Sequence, residues 1–201
     1  MEFENKNGIY KISVLLSRLV IMNLIFLLIS PLIITVGVAI SGIMYVLNDP
    51  NKPIKSFIKF FKTNFLKSIP LTIFMYSTLS TSYFLYFYMR SNILTLIIWA
   101  CLSGILFGYS LIILFLFSKY EMTLVKYFQS GFYLLLQNYL VIILQLLLFF
   151  VITYVVLAQS IMLFIMFAVS INLYLFVKFN NKSVENLYKE SKSDYAETAL
   201  E

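Results

Sequence analysis

The chain has 201 residues, of which 61% are hydrophobic and only 12% are charged. Soluble domains carry about 25% charged residues, so this sequence lacks the charge needed to cover a water-exposed surface. There is no histidine and only one cysteine, Cys101, which excludes histidine-based metal sites, internal disulfides and Ser/His or Cys/His nucleophiles. We therefore predict a membrane protein that is not an enzyme and uses no metal or cofactor.

The first apolar stretch runs from about residue 10 to residue 47 and contains Pro31 near its middle. As one helix, residues 19–47 would be about 43 Å long, which exceeds the roughly 30 Å thickness of the bilayer core. The stretch therefore has two interpretations. It forms either two spans, over residues 10–29 and 32–47, or a single span kinked at Pro31.

The later apolar stretches are separated by short charged segments. Residues 69–89 and 93–118 each have the length of one span. The stretch 127–177 is too long for one span, so it is predicted to form a hairpin of spans 135–157 and 161–177 with a turn at residues 158–160. These spans place residues 1–177 in one transmembrane domain, followed by a charged cytoplasmic tail at 178–201.

The distribution of basic residues favours six spans over five. With six spans, fourteen of the fifteen Lys and Arg residues fall on one side of the membrane and Arg90 alone falls on the other. With five spans the division is eleven to four. Basic residues accumulate in cytoplasmic segments, so we predict an all-α polytopic protein with six spans and both termini in the cytoplasm.

Two basic segments resemble each other at an offset of 67 residues. SFIKFFKTNF at residues 56–65 aligns with TLVKYFQSGF at residues 123–132, and the same offset places Gly37 and Ser41 over Gly104 and Gly108. The pattern predicts a parallel repeat of a unit made of two spans and a cytoplasmic amphipathic helix. Chance similarity between apolar segments is the alternative.

Residues 53–68 are predicted to form an amphipathic helix at the membrane interface. Apolar residues recur there at three- and four-residue spacing, with lysines on the adjacent face. Such a helix lies among the lipid head groups, either as a simple connector or as a docking site. Nucleic acid is not an expected partner, because the aromatic residues are needed on the lipid face. The candidate residues for contact with a partner or with lipid are Lys55, Phe57, Lys59, Lys62, Phe65 and Lys67.

Small residues inside the predicted spans are candidates for helix packing. Gly37 with Ser41, and Gly104 with Gly108, form pairs of the small-xxx-small type, which let two helix backbones approach closely. Packing within the chain is the first interpretation, and contact with a partner or a homo-oligomer is the second.

Few polar side chains lie deep within the predicted spans. Asn23, Gln145 and Asn172 are expected to hydrogen-bond across helices. A hydroxyl cluster in the third span either bonds to its own helix or lines a solute path; it comprises Ser77, Thr78, Ser80, Thr81 and Ser82. Apart from Lys11 and Arg18 in the first half of the first span, the predicted spans contain no charged residue, which argues against an ion-coupled pump.

The part of the chain from Asn23 to Ser68 also resembles a known family. Asn23 precedes an apolar run to Pro31, followed by TVGVA at residues 35–39 and by FIKFFKTNFLKS at residues 57–68. These features are similar to the YesL-type family of small bacterial membrane proteins, a domain of unknown function. Its members are often encoded beside carbohydrate importers of the ATP-binding-cassette type.

This resemblance implies an accessory role in carbohydrate uptake at the bacterial plasma membrane, with lipids and importer permease subunits as partners. Two other functions stay open at the level of the sequence. One is a facilitative channel or carrier for a small neutral solute, and the other is a membrane regulator or assembly factor.

Overall fold

The computed structural model describes residues 8–29, 32–48, 53–90 and 92–198, and almost all of these residues are helical. The described part of the chain contains no β-strand. The all-α prediction is therefore confirmed. The helices are α1 (Gly8–Ile29), α2 (Val36–Asn48, preceded by a 3-10 helix at Ile33–Thr35), α3 (Pro53–Met89), α4 (Ile93–Lys119), α5 (Leu124–Gln137), α6 (Tyr139–Gln159) and α7 (Ile161–Thr198).

Two segments of the described chain are long and apolar enough to cross a membrane, namely Ile12–Ile29 within α1 and Ile93–Lys119, which is α4. Helices α5 and α6 are bent by 89° relative to each other, and they add a third candidate if they form one broken span. These helices indicate a membrane protein. Within the residues that the structure describes, their number is smaller than the six spans predicted; α2 is apolar but shorter than a span.

Helix α4 changes its surroundings along its length. All nine residues from Ser110 to Ser118 are buried, whereas most residues in its first half are exposed or half-buried. A helix that is apolar on every side and buried on every side must be covered by protein all round. The second half of α4 is therefore the centre of the bundle, packed by α2, α3, α5 and α6.

Separate helices lie before and after Pro31, an arrangement that the two-span and the kinked-span interpretations both allow. Helix α1 ends at Ile29, and a 3-10 helix begins at Ile33. The Thr35 hydroxyl donates to the carbonyl oxygens of Ile29 at 2.7 Å and Leu32 at 2.6 Å. Pro31 itself lies outside the described residues.

The predicted interfacial helix at 53–68 and the predicted span at 69–89 belong to one helix, since α3 continues without a break from Pro53 to Met89. Pro70 removes one backbone hydrogen bond without ending the helix, while the hydroxyls of Ser68 and Thr72 donate to the carbonyls of Phe65 and Ser68. The predicted span 135–157 crosses the break between α5, which ends at Gln137, and α6, which begins at Tyr139.

The predicted tail is likewise not separate from the bundle. Helix α7 runs from Ile161 through Val177 to Thr198, and Asn180 and Val184 are buried against the other helices. The break between α6 and α7 lies at Ser160, within the residues where a turn was predicted.

Three basic segments meet at one end of the bundle. Lys67 of α3 forms an ion pair with Glu121 in the α4–α5 connection, at 3.8 Å. Lys119 at the end of α4 forms an ion pair with Glu185 of α7, at 2.9 Å. We call this the basic end. It comprises the first part of α3, residues 119–126 and residues 178–185.

Candidate functional site

A cleft of about 910 Å³ opens at the basic end, between the first part of α3, the end of α4 and the start of α5. Ligand pockets in proteins typically have volumes of about 300–1,000 Å³. The cleft has aromatic residues along its floor and lysines among the residues that line it, so it combines an apolar surface with positive charge. The lining aromatic residues are Tyr45, Phe60, Phe117, Tyr120 and Tyr127.

Four of the aromatic rings form a continuous stack under the cleft. The ring of Phe60 lies 5.0 Å from that of Tyr45, and it meets Phe117 edge-on at 6.0 Å. The ring of Tyr127 also meets that of Phe117 edge-on, at 5.7 Å. Phe60 and Tyr127 occupy equivalent positions in the two similar segments at the 67-residue offset. Edge-to-face packing of this kind holds α3 and α5 against α4 and fixes the width of the cleft.

The hydroxyl of Tyr127 holds the loop between α4 and α5. It donates to the carbonyl oxygen of Tyr120 at 2.6 Å and accepts from the backbone N–H of Met122 at 3.0 Å. Burial raises the pKa of this phenol, and the nearby carboxylate of Glu121 raises it further, while the Met122 bond opposes them. The phenol therefore stays protonated at physiological pH and keeps its donor.

Among the residues that the structure describes, four lysines and one acidic residue, Glu121, line the cleft. The pair between Lys67 and Glu121 is long and mostly solvent-exposed, so it contributes little to stability. Lys119 also donates to the side chain of Asn181, which further joins α7 to this end. The positive charge of the cleft is therefore only partly neutralised. The lining lysines are Lys59, Lys67, Lys119 and Lys126.

The six predicted docking residues differ in their surroundings. Lys59 and Lys67 line the cleft, while Lys55 and Lys62 are exposed and do not line it. Phe65 is half-buried. Phe57 departs from the prediction that it contacts lipid or a partner, because it is only 2% exposed and its ring lies against Gly42 of α2. Its face of α3 contacts protein and is not available to lipid or to a partner.

The predicted small-residue pairs lie at contacts between helices. A Cβ atom at Gly37 would overlap the Thr72 hydroxyl and lie 3.2 Å from the Thr72 Cα, so α2 and α3 touch at their backbones. Ser41 is completely buried beside this contact, and its hydroxyl has no hydrogen-bond partner.

The second pair lies between α4 and α6. A Cβ at Gly104 would meet only the methyl end of Leu146 at 3.3 Å, and one at Gly108 would meet Ile142 at 2.8 Å. Both small-residue pairs therefore serve packing within the chain.

The three predicted amides all bond across helices. The Asn23 side-chain oxygen of α1 accepts from the backbone N–H groups of Val169 and Ser170 in α7, both at 3.1 Å. The Asn172 amide donates to the Thr153 hydroxyl of α6 at 3.3 Å.

Gln145 accepts from an amide that the sequence analysis missed. The Nδ2 of Asn180 donates to the Gln145 Oε1 at 2.8 Å, while the Gln145 Nε2 has no partner. Asn180 was missed because it follows Lys178 and was assigned to the charged tail. An extension of the apolar periodicity of α7 through Val177, Asn180 and Val184 could have found it.

The hydroxyl cluster of α3 is largely engaged in hydrogen bonds. Ser77 and Thr81 donate to carbonyls of their own helix. Thr78 also contacts the Ser110 hydroxyl of α4 at 3.1 Å, and Ser82 bonds to Ser103. These bonds favour a packing role over a polar path for solute.

Within the described residues, no three His, Cys, Asp or Glu side chains come together in a group that could hold a metal ion. Comparison of the chain with protein families, curated proteins and solved structures finds no match.

Proposed function

We propose that this protein is a non-enzymatic accessory protein of the bacterial cell membrane that associates with a carbohydrate importer of the ATP-binding-cassette type. The importer is suggested by the resemblance of residues 23–68 to the YesL-type family, and we propose membership of that family as well. The proposal is supported by one structural observation. Polar groups inside the bundle largely bond to each other, whereas lysines from α3, α4 and α5 line an open cleft at the basic end.

We propose the six-span topology as the membrane arrangement of this protein. The Lys67–Glu121 and Lys119–Glu185 ion pairs bring three basic segments to the same end of the bundle, as this topology and the five-span alternative both require. Arg90 lies in the turn after α3 and is followed by α4, which returns the chain toward Lys119. Basic segments on one side and a lone arginine on the other are typical of a cytoplasmic face and its opposite.

The outer face of α3 is the surface that we propose for the importer. Ile54 and Ile58 are about half exposed and Leu66 is 75% exposed, and the exposed Lys55 and Lys62 lie between them. These five residues cover a continuous arc of the helix at 100° per residue, and none of them lines the cleft. A mixed apolar and basic face at the membrane interface suits a partner that presents apolar and acidic side chains at the same depth.

Purification of the tagged protein in mild detergent from its native cells tests this function. We expect a permease or ATPase subunit of a carbohydrate importer to co-purify with the wild-type protein. Replacement of Lys55 and Lys62 by glutamate should abolish this enrichment. Lys182→Glu changes the charge of an exposed residue at the same end and should leave it intact. If no importer subunit is enriched with wild-type protein at any detergent concentration, the proposal is wrong.

A facilitative carrier is the second candidate, and a direct measurement separates it from the first. An accessory protein gives no sugar flux in proteoliposomes that contain only this chain, whereas a carrier gives flux that saturates with sugar concentration. A regulator or assembly factor is distinguished by deletion in cells, which would change permease abundance while transport per permease stays constant.

A further inference from the structure

The cleft at the basic end lies beside the outer face of α3, and its lining differs from that face. Lys59 and Lys67 line the cleft, whereas Lys55 and Lys62 are exposed residues that do not line it. Lys59 follows Lys55 by one helical turn, so the two sets of lysines occupy adjoining sides of the same helix. Only one of them opens on a cavity.

We propose that this cleft binds the phosphate group of an anionic phospholipid. Lysines from α3, α4 and α5 line the cavity, and Glu121 is the only carboxylate among its lining residues in the part of the chain that the structure describes. The Lys59 side chain makes no ion pair within the described residues. The described residues that line the cleft include four lysines and one carboxylate, so an anion that enters it is attracted by the net positive charge.

The α4–α5 connection supplies neutral donors on the same surface. Thr123 precedes α5 and lines the cleft, and its side chain makes no cap bond to the helix. Ser130, about two turns further along α5, also lines the cleft. Hydroxyl groups beside lysines are suited to phosphate, which presents several acceptor oxygens at once.

The apolar part of the cleft favours a lipid over free phosphate. Its floor is the aromatic stack of Tyr45, Phe60, Phe117 and Tyr127, which a small inorganic anion would not contact. Helix α5 lies at 89° to α6. The surface of α5 away from the core exposes further apolar side chains, namely Val125, Phe132 and Leu136. A phospholipid can place its phosphate among the lysines and its glycerol and first methylene groups on the aromatic floor.

This inference depends on the membrane location of the protein and not on the importer. The two proposals can therefore fail separately. Loss of the importer association would leave lipid binding unchanged, and loss of lipid binding would leave the outer face of α3 unchanged.

Lipid retention by the purified protein tests the proposal with a matched pair of variants. We expect native mass spectrometry of the full chain to show bound phosphatidylglycerol in preference to phosphatidylcholine. The double variant Lys59→Gln, Lys126→Gln should weaken phosphatidylglycerol binding by roughly 30-fold, since each lysine near an anionic lipid contributes about fivefold. The control variant Lys55→Gln, Lys62→Gln removes the same charge from α3 outside the cleft and should change binding less than about threefold.

Three outcomes would overturn the proposal. Equal losses in both variants would show general attraction between lysines and an anionic surface. Equal binding of phosphatidylcholine would show an apolar groove without phosphate recognition. Stabilisation by inorganic phosphate or by a hexaglutamate peptide, without retention of phosphatidylglycerol, would assign the cleft to a soluble anion or to a protein partner. Unfolding temperatures and circular dichroism of each variant confirm that the compared proteins are folded.

Discussion

Gly37 and Thr72 bring the backbones of α2 and α3 into direct contact, because a Cβ atom at position 37 would lie 3.2 Å from the Thr72 Cα. We expect Gly37→Ala to separate the two helices and to lower the free energy of unfolding by about 1–3 kcal/mol, the usual cost of overpacking a closed contact. The additional substitution Thr72→Ala should restore only part of this loss, since the Thr72 Cα remains in place. Thermal unfolding in detergent measures both effects.

Gly104→Ala is the matched control for Gly37→Ala. Its Cβ would meet only the methyl end of Leu146 at 3.3 Å, and a flexible leucine can move by a few tenths of an ångström. We expect the unfolding free energy to change by less than about 0.5 kcal/mol. If the two alanine variants unfold at the same temperature, the close contact between α2 and α3 is not present in the folded protein.

The bond between Asn180 and Gln145 joins α7 to α6 at a buried position. Asn180→Leu would leave the Gln145 amide with neither of its polar atoms paired, because its Nε2 already has no partner. We expect a loss of about 1–3 kcal/mol of unfolding free energy. Combining it with Gln145→Met should cost less than the sum of the two single substitutions, since both buried polar groups are then removed.

Chemical denaturation of the four proteins of this double-mutant cycle gives the coupling energy. Asn186→Leu provides a control on the same helix, because Asn186 is exposed. It should change stability by less than about 0.5 kcal/mol. A coupling energy of zero within error would contradict the hydrogen bond between α6 and α7.

The Tyr127 hydroxyl is expected to control the mobility of the α4–α5 loop. Tyr127→Phe removes the donor to the Tyr120 carbonyl and the acceptor of the Met122 N–H while it keeps the ring against Phe117. We expect a stability loss of about 1 kcal/mol and faster tryptic cleavage after Lys119. Tyr133→Phe, on an exposed residue of the same helix, should leave the cleavage rate unchanged. Equal cleavage of all three proteins would mean that the hydroxyl does not restrain the loop.

The helical class could be predicted from composition, whereas the ends of the long helices could not. Hydropathy marks where a chain leaves the bilayer, but it does not mark where the backbone stops being helical. Lysines therefore suggested an end near Ser68, although α3 continues past Pro70 to Met89. The same reasoning separated a tail at Lys178, although α7 continues through that residue.

The lysines of α3 could be predicted as a basic surface, but the cleft could not. Its walls also contain Lys119, Glu121 and Lys126, which come from a segment some sixty residues later. Periodicity places Phe57 on an apolar face without saying whether lipid or protein covers that face. The burial of Phe57 against Gly42 is a property of the packed bundle.

The six-span topology predicts which positions of the chain react from outside the cell. In a Cys101→Ser background, a cysteine that replaces Arg90 should react with a membrane-impermeant maleimide in intact cells. A cysteine at Lys189 should react only after permeabilisation, because the topology places it in the cytoplasm. A cysteine at Asn5 separates six spans from five, since it shares the side of Lys189 in the first case and the side of Arg90 in the second. Labelling at position 5 in intact cells would therefore reject the second N-terminal span. Labelling at both position 90 and position 189 in intact cells would reject the six-span and the five-span topology alike.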